Sequence, residues 1–245
     1  MKTLFDHIPI CKPWMEEEEW LALKEVILSG WISQGPKVQE FENELAKFVG
    51  AKHAVAVNAC TSAMHLIMRH IGVEPGDEVI LPTWTCMANV NAVLMANAVP
   101  VFVDVDYNTT NIDPKRTIEA IGPKTKAIMA IDQLGTPVDL DAFIEISKEH
   151  NVTFFDDSAV ALGSKYKGKY LGGHGIPTSY SFHPRKIIST GEGGMLVTDN
   201  DELAANARRW RATGASVSDL ERHKNKGIIL QEYPDSGYNY RMTDI

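Results

Sequence analysis

Three consecutive stretches decide the fold class: Ala127-Ile-Met-Ala-Ile131, Leu140-Asp-Ala-Phe-Ile-Glu-Ile-Ser-Lys-Glu-His150 and Val152-Thr-Phe-Phe-Asp-Asp157. The outer two are short apolar runs, the length of strands that are buried on both faces. The middle one is long enough for a helix and carries its apolar residues at helical spacing. The same alternation continues outward. Further strand-like runs lie at His53–Val57, Glu78–Leu81, Val99–Val103 and Met195–Val197, with helix-length segments at Thr61–Ile71, Met87–Asn97 and Pro114–Ile121. Ahead of them, Glu16–Glu19 followed by Leu21, Val26 and Ile27 predicts an amphipathic helix stopped at Gly30, and Pro36–Gly50 predicts a second helix. Strands alternating with helices imply an α/β fold, a mostly parallel central sheet with helices on both faces. Such sheets bind ligands outside the carboxyl ends of their strands. The residues just after each strand therefore carry the functional question.

Composition narrows the function classes. The chain has 245 residues, 44% hydrophobic and 23% charged, so disorder and fibrous architectures are excluded, and one large domain or two small ones fit the length. The formal net charge is −8, from 24 basic and 32 acidic residues, with no Lys/Arg run. Nucleic-acid binding, whose affinity rests on neutralising phosphates, is not expected. The start, Met1 to Ile8, has no apolar core of signal-peptide length. The most apolar stretch, Val90–Val105, is broken by Asn91, Asn97, Pro100 and Asp104, so no membrane span is expected. Cys11, Cys60 and Cys86 are odd in number and form no C-x-x-C pair, which suits a reducing compartment, and a cytoplasmic location is expected. His65 and His70 are five apart, the wrong spacing to share a helix face, so no metal site is expected.

Three post-strand segments can carry chemistry. Asn58-Ala-Cys-Thr-Ser62 opens a helix with small and hydroxyl residues. That suits an anion held by Cys60, Thr61 and Ser62 at a helix N-terminus, or an ordinary N-cap by Thr61 or Ser62. The pair Asp156-Asp157 ends an apolar strand. The Mg²⁺-binding acid of a P-loop enzyme is excluded, because no G-x-x-x-x-G-K-[ST] loop accompanies it. A carboxylate for a heteroaromatic ring nitrogen and a helix cap or solvated loop both remain. Ser179-Tyr-Ser-Phe-His-Pro-Arg-Lys186 leads into Gly191-Glu-Gly-Gly194. Lys186 reads either as a surface cation or as a Schiff-base lysine, with Ser181 as a second phosphate donor. Together the three supply a phosphate cradle, a ring-nitrogen carboxylate and a Schiff-base lysine, the parts a pyridoxal 5′-phosphate (PLP) site requires.

The chain resembles the DegT/DnrJ/EryC1/StrS family of PLP-dependent sugar aminotransferases, of the aspartate-aminotransferase-like fold. The resemblance runs from about Ile8 to the last residue and rests on seven motifs in order: Ser29-Gly-Trp-Ile-Ser-Gln-Gly-Pro36, Ala59-Cys-Thr-Ser-Ala-Met-His-Leu66, Gly76-Asp-Glu-Val-Ile-Leu-Pro82, Asp156-Asp-Ser-Ala159, Ser181-Phe-His-Pro-Arg-Lys186, Thr190-Gly-Glu-Gly-Gly194 and Gly237-Tyr-Asn-Tyr-Arg-Met-Thr243. It implies that Lys186 is the Schiff-base lysine, that Asp157 pairs with the ring nitrogen, and that Cys60, Thr61, Ser62 and Ser181 hold the phosphate. It also implies that Asn239 reaches the phosphate of a neighbouring subunit, hence a homodimer. The substrates implied are a nucleotide-linked keto deoxysugar and an amino donor, glutamate.

Three positions depart from the family pattern. Val160 stands where Gln is common, Cys86 where an aromatic ring usually stacks on the pyridine, and Asp132 where His is frequent. Residues 1–35 are expected as an N-terminal segment and helix and 36–245 as the PLP-binding large domain, without the smaller C-terminal domain that family members carry. Met242-Thr-Asp-Ile245 reads as the N-cap of a further helix. The alternative reading is a catalytically impaired cofactor-binding or subunit-interaction module.

Overall fold

A computed structural model of the chain describes residues 11–224, 227 and 229–245. The reading of Met1–Ile8, the first residues of the resemblance and the start of the 1–35 segment lie outside the described residues. In chain order the elements are α1 (Glu17–Ser29), α2 (Pro36–Val49), β1 (His53–Val57), α3 (Cys60–Ile71), β2 (Glu78–Pro82), α4 (Met87–Met95), β3 (Val99–Val103), α5 (Pro114–Ala120), β4 (Thr125–Ile131), α6 (Leu140–His150) and β5 (Thr153–Asp157). Then follow β6 (Lys165–Tyr166), β7 (Lys169–Tyr170), β8 (Thr178–Ser181), β9 (Gly194–Thr198), α7 (Asp201–Arg211) and α8 (Asp219–Lys224).

Among the described residues, seven strands form one sheet in the order β1-β9-β8-β5-β4-β2-β3, and β6 and β7 pair as a small separate ribbon. The pairs from β3 across to β8 are parallel, whereas β9 is antiparallel to both β8 and β1. The mostly parallel sheet expected from the sequence is thus present, with one reversed strand. The strands β1, β2, β4, β5 and β9 alternate their apolar residues between two buried layers, which follows from the two-residue period of the pleat. Val55, Val57, Val79, Leu81, Met129, Phe155 and Leu196 face the core made with α3, α4 and α7. Ile80, Ile128, Ala130 and Phe154 face the core made with α6, and Ala54, Ala56, Met195 and Val197 face α2.

Caps fix the helix starts. Asp113 accepts from Lys115 and Arg116 at α5, Asp139 from Ala142 at α6, and Asn200 from Glu202 and Leu203 at α7. Such caps contribute about 1 kcal/mol each. α2 is capped across the chain. The Asp244 carboxylate accepts from the backbone N–H of Gly35 at 2.7 Å, Val38 at 3.0 Å and Lys37 at 3.0 Å. The Met242–Ile245 segment, expected as a cap for a helix of its own, therefore caps a helix at the other end of the sequence. α1 forms where expected, but of its residues only Val26 is buried, and Trp20, Ile27 and Leu28 are exposed.

Candidate active site

The parallel strands deliver the sequence-selected residues to one edge. Register places Gly194 opposite both Val57 and Ser181, and Asp157 opposite Ser179 on one side and Ile131 on the other. The ends of β1, β8 and β5 and the start of β9 therefore lie side by side. A Cβ on Gly194 would sit 2.4 Å from the Cys60 backbone nitrogen and 2.5 Å from the Ala59 carbonyl carbon. A side chain there would push β9 away from the first turn of α3, so glycine is required for this close approach.

α3 starts at Cys60, with Ala59 as its N-cap and no side chain capping it. The sequence reading of Thr61 or Ser62 as cap is therefore corrected: both lie inside the first turn. Ser62 Oγ donates instead to Asn58 Oδ1 at 2.7 Å. The first N–H groups of a helix have no partner within it; here Ser62 N donates back to the Ala59 carbonyl at 3.0 Å, which leaves those of Cys60 and Thr61 at the edge where Gly194 pairs with Ser181. The Cys60 thiol turns inward, 3.6 Å from Asp157 Oδ1. Burial and the neighbouring Asp157 charge push that thiol well above its usual range, so it is a neutral group.

Asp156 and Asp157 are both buried, at 1% and 3% exposure, which rules out the solvated-loop reading. Being adjacent on a strand, they face opposite sides. Asp157 lies on the side of Phe155, toward α3 and α4. Its Oδ2 accepts from Asn89 Nδ2 at 2.5 Å, and its Oδ1 accepts from Ala159 N at 2.9 Å and Ser179 Oγ at 3.3 Å. Burial raises its proton affinity. The Asn89 bond opposes that most strongly, and the Lys186 charge also lowers it. Lys186 is half-buried on the segment beyond β8, where its backbone N–H donates to the His183 carbonyl at 2.8 Å.

The sequence reading missed Asn89 and Ser179. The Met87–Met95 helix carries two asparagines, and only the fold separates them: Asn91 is exposed, whereas Asn89 is at 2% exposure, where a buried amide needs a partner. On the other face, Ser158 Oγ lies 2.5 Å from Asp132 Oδ2 and 3.2 Å from Asp156 Oδ2, and Asp132 Oδ1 accepts from Val138 N at 2.9 Å. Cys86 is exposed at the N-cap of α4, with Trp84 half-exposed two residues earlier.

Asn239 is exposed on a segment strapped across the domain by bonds from Tyr240 N to Arg211 O and from Asn58 N to Tyr240 O, each 2.9 Å. His65 belongs to this strap rather than to any metal set: its Nδ1 is 3.1 Å from the Tyr240 hydroxyl, and burial lowers its proton affinity. A cavity of about 500 Å³ lies away from this edge, against Gln34, Glu42, Arg208, Arg209 and Arg211. The buried Glu42–Arg211 ion pair lines it.

The model of the DegT/DnrJ/EryC1/StrS aminotransferase family matches residues 13–245. The chain belongs to that family. It is 41% identical over 238 residues to the spore coat polysaccharide biosynthesis protein SpsC of Bacillus subtilis, covering 97% of this chain and 61% of SpsC. Helicobacter pylori PseC, an aminotransferase involved in the biosynthesis of pseudoaminic acid, superposes with a TM-score of 0.89 at 31% identity, covering 98% of this chain and 62% of PseC. Spr1654 of Streptococcus pneumoniae in its PLP form matches with a TM-score of 0.86 at 30% identity, covering 97% and 63%. The chain thus spans about three-fifths of the length of these DegT-family relatives. The cofactor of the family is PLP, and the edge fits it. A buried carboxylate braced by four donors suits a cationic ring nitrogen, and the uncapped α3 terminus suits a phosphate. Among the described residues no helix is long and apolar enough to cross a membrane.

Proposed function

We propose that this chain is the cofactor-binding large domain, residues 36–245 preceded by the 1–35 segment, of a cytoplasmic PLP-dependent aminotransferase. It transfers an amino group from glutamate to a keto group of a nucleotide-linked deoxysugar. The observation that carries this reading is Asp157: buried, braced by Asn89, Ala159 and Ser179, and favoured in its ionised form by the Lys186 charge. The family match and the sugar-related names of SpsC and PseC support the substrate class. They favour an enzyme over an impaired binding module.

Bound PLP supplies an electron sink for the carbanion at the donor's α-carbon. Asp157 keeps the ring nitrogen protonated by offering it an ionised oxygen. Asn89 orients that oxygen and strengthens its charge. Lys186 Nζ anchors the cofactor and, once free as an amine, takes the proton from the donor's α-carbon. Cys60 and Thr61 hold the phosphate through their backbone N–H groups, with the Ser181 hydroxyl beside them. Ser62 donates its hydroxyl hydrogen to Asn58 and its backbone N–H to the Ala59 carbonyl, so its contribution requires the hydroxyl to turn from Asn58 to the phosphate. Cys86, exposed at the N-cap of α4, would supply the contact to the ring that an aromatic usually makes, with less apolar area. Asn239, exposed on its strap, reaches the phosphate of a second subunit, which makes the working unit a homodimer.

The test is chemical. The chain is incubated with PLP and reduced with borohydride, and the modified peptide is mapped. The label is expected on Lys186. Label on another lysine, or none, overturns the assignment.

A further inference from the structure

The Asp132, Ser158 and Asp156 side chains meet in the interior at 0%, 0% and 1% exposure, and the active-site reading gives them no role. Their hydrogens do not balance if both acids are ionised. Ser158 Oγ is within hydrogen-bonding distance of an oxygen on each acid, yet it has a single hydrogen to donate. Spending it on Asp132, the closer oxygen, leaves Asp156 Oδ2 facing a hydroxyl lone pair unless Asp156 carries a proton of its own.

Donor counts locate that proton. Asp157 accepts from Asn89, Ala159, Ser179 and the Cys60 thiol, and Asp132 accepts from Val138 N and Ser158. Asp156 Oδ1 is buried with no partner. An unpartnered buried oxygen costs far less on a neutral acid than on an ionised one. The charges facing the pair are carboxylates: Asp157 acts on both, and each acts on the other. From β8, Tyr180 faces them, and its hydroxyl hydrogen is committed to the Leu171 carbonyl at 2.6 Å.

We propose that Asp132 and Asp156 share one proton across Ser158, carried by Asp156, as a positioning device that keeps the charge at the end of β5 on Asp157. In the resting arrangement Asp156 Oδ2–H donates to Ser158 Oγ, Ser158 Oγ–H donates to Asp132 Oδ2, and Asp132 holds the single negative charge. A proton placed on Asp157 instead would remove the partner of the ring nitrogen. The order of proton affinities agrees: burial lifts Asp156 well above the usual carboxylate range, and lifts Asp132 to about 6. The inference uses the PLP assignment for its consequence, but the proton itself is tested without cofactor or substrate.

Infrared difference spectra of the cofactor-free protein near neutral pH are expected to show the carbonyl stretch of a protonated carboxylic acid, shifting in D₂O. The band is expected to persist in Asp157→Asn and to be lost in Asp156→Asn. The folded pair holds protons that the unfolded chain has released, so wild-type stability falls as pH rises from the ordinary carboxylate value through about 6. Asp156→Asn is expected to flatten that slope. A band unchanged in Asp156→Asn, or an unchanged slope, overturns the proposal. If Asp156→Asn does not fold, Asp132→Asn serves: the band should remain while the step near pH 6 disappears, and a retained step overturns the proposal. Failure of the Lys186 labelling leaves these readouts untouched, so the two ideas fail separately.

Discussion

Replacing Asn89 by alanine removes the shortest hydrogen bond to Asp157, the 2.5 Å contact from Asn89 Nδ2 to Oδ2. The donors left, Ala159 N at 2.9 Å, Ser179 Oγ at 3.3 Å and the Cys60 thiol at 3.6 Å, all serve the other oxygen. A hydrogen bond to a charged group contributes about 1.5–3 kcal/mol. At about 1.4 kcal/mol per pKa unit, the loss raises the Asp157 proton affinity, already lifted by burial, by a further one to two units. If ring-nitrogen pairing loses the same amount, PLP affinity falls about 10- to 100-fold, most steeply toward low pH, where Asp157 then takes a proton. Alanine also opens space beside Met64 and Met129, whose sulfurs lie 3.4 and 3.3 Å from Asn89 Nδ2. Asn89→Leu fills that space without a donor and is expected to show the same loss. The assay is an absorbance titration of the cofactor-free protein with PLP at several pH values. Stability adds a second readout: with Asp157 raised, the folded state keeps a proton the unfolded chain releases above 3.8, and the variant extends that falling window to higher pH. Affinity within about twofold of wild type for both variants at every pH would refute the reasoning.

Three further outcomes follow from the packing. Arg211→Met strands the buried Glu42 charge, which also accepts from Ala56 N at 2.8 Å, and is expected to cost about 3–5 kcal/mol in urea denaturation. The double variant Glu42→Leu/Arg211→Met should recover part of that loss, and equal destabilisation of single and double variants would contradict it. Gly194→Ala forces a Cβ to 2.4 Å from the Cys60 nitrogen and should cost about 1–3 kcal/mol while weakening PLP binding. A wild-type melting temperature and affinity would show that β9 yields freely. Asp244→Ala uncaps α2 and should cost about 1 kcal/mol, whereas Asp244→Asn should lose less; equal effects would argue against the cap.

The elements were legible because their signals are local. Apolar runs of strand length gave β1 and β3 at their observed bounds, and Leu140–His150 was bounded as expected. The β6–β7 ribbon and α7 were not anticipated. The ribbon's strands are two residues each, too short for a period, and α7 is arginine-rich, with an apolar face of only Leu203, Ala204, Ala207 and Trp210. The reversed direction of β9 is equally silent in sequence, because a strand buried on both faces reads the same in either direction.

Lys186, Asp157 and the Asn58–Ser62 turn were visible in sequence because each follows a strand and belongs to a recognisable motif. Asn89 and Ser179 were not assigned, since a buried polar residue declares its purpose only when its partner is known. The inward turn of the Cys60 thiol, the bond from Ser62 to Asn58 and the capping of α2 by Asp244 likewise join groups brought together by folding. By itself the sequence determined the alternation of strands and helices, the acidic composition and the motif set that places the chain in its family. Only the tertiary structure decided which oxygen of which aspartate is braced, and by what. Propensity and hydrophobic period act over a few neighbouring residues, whereas a buried charge is stabilised or neutralised by whatever donors the packed sheet sets around it.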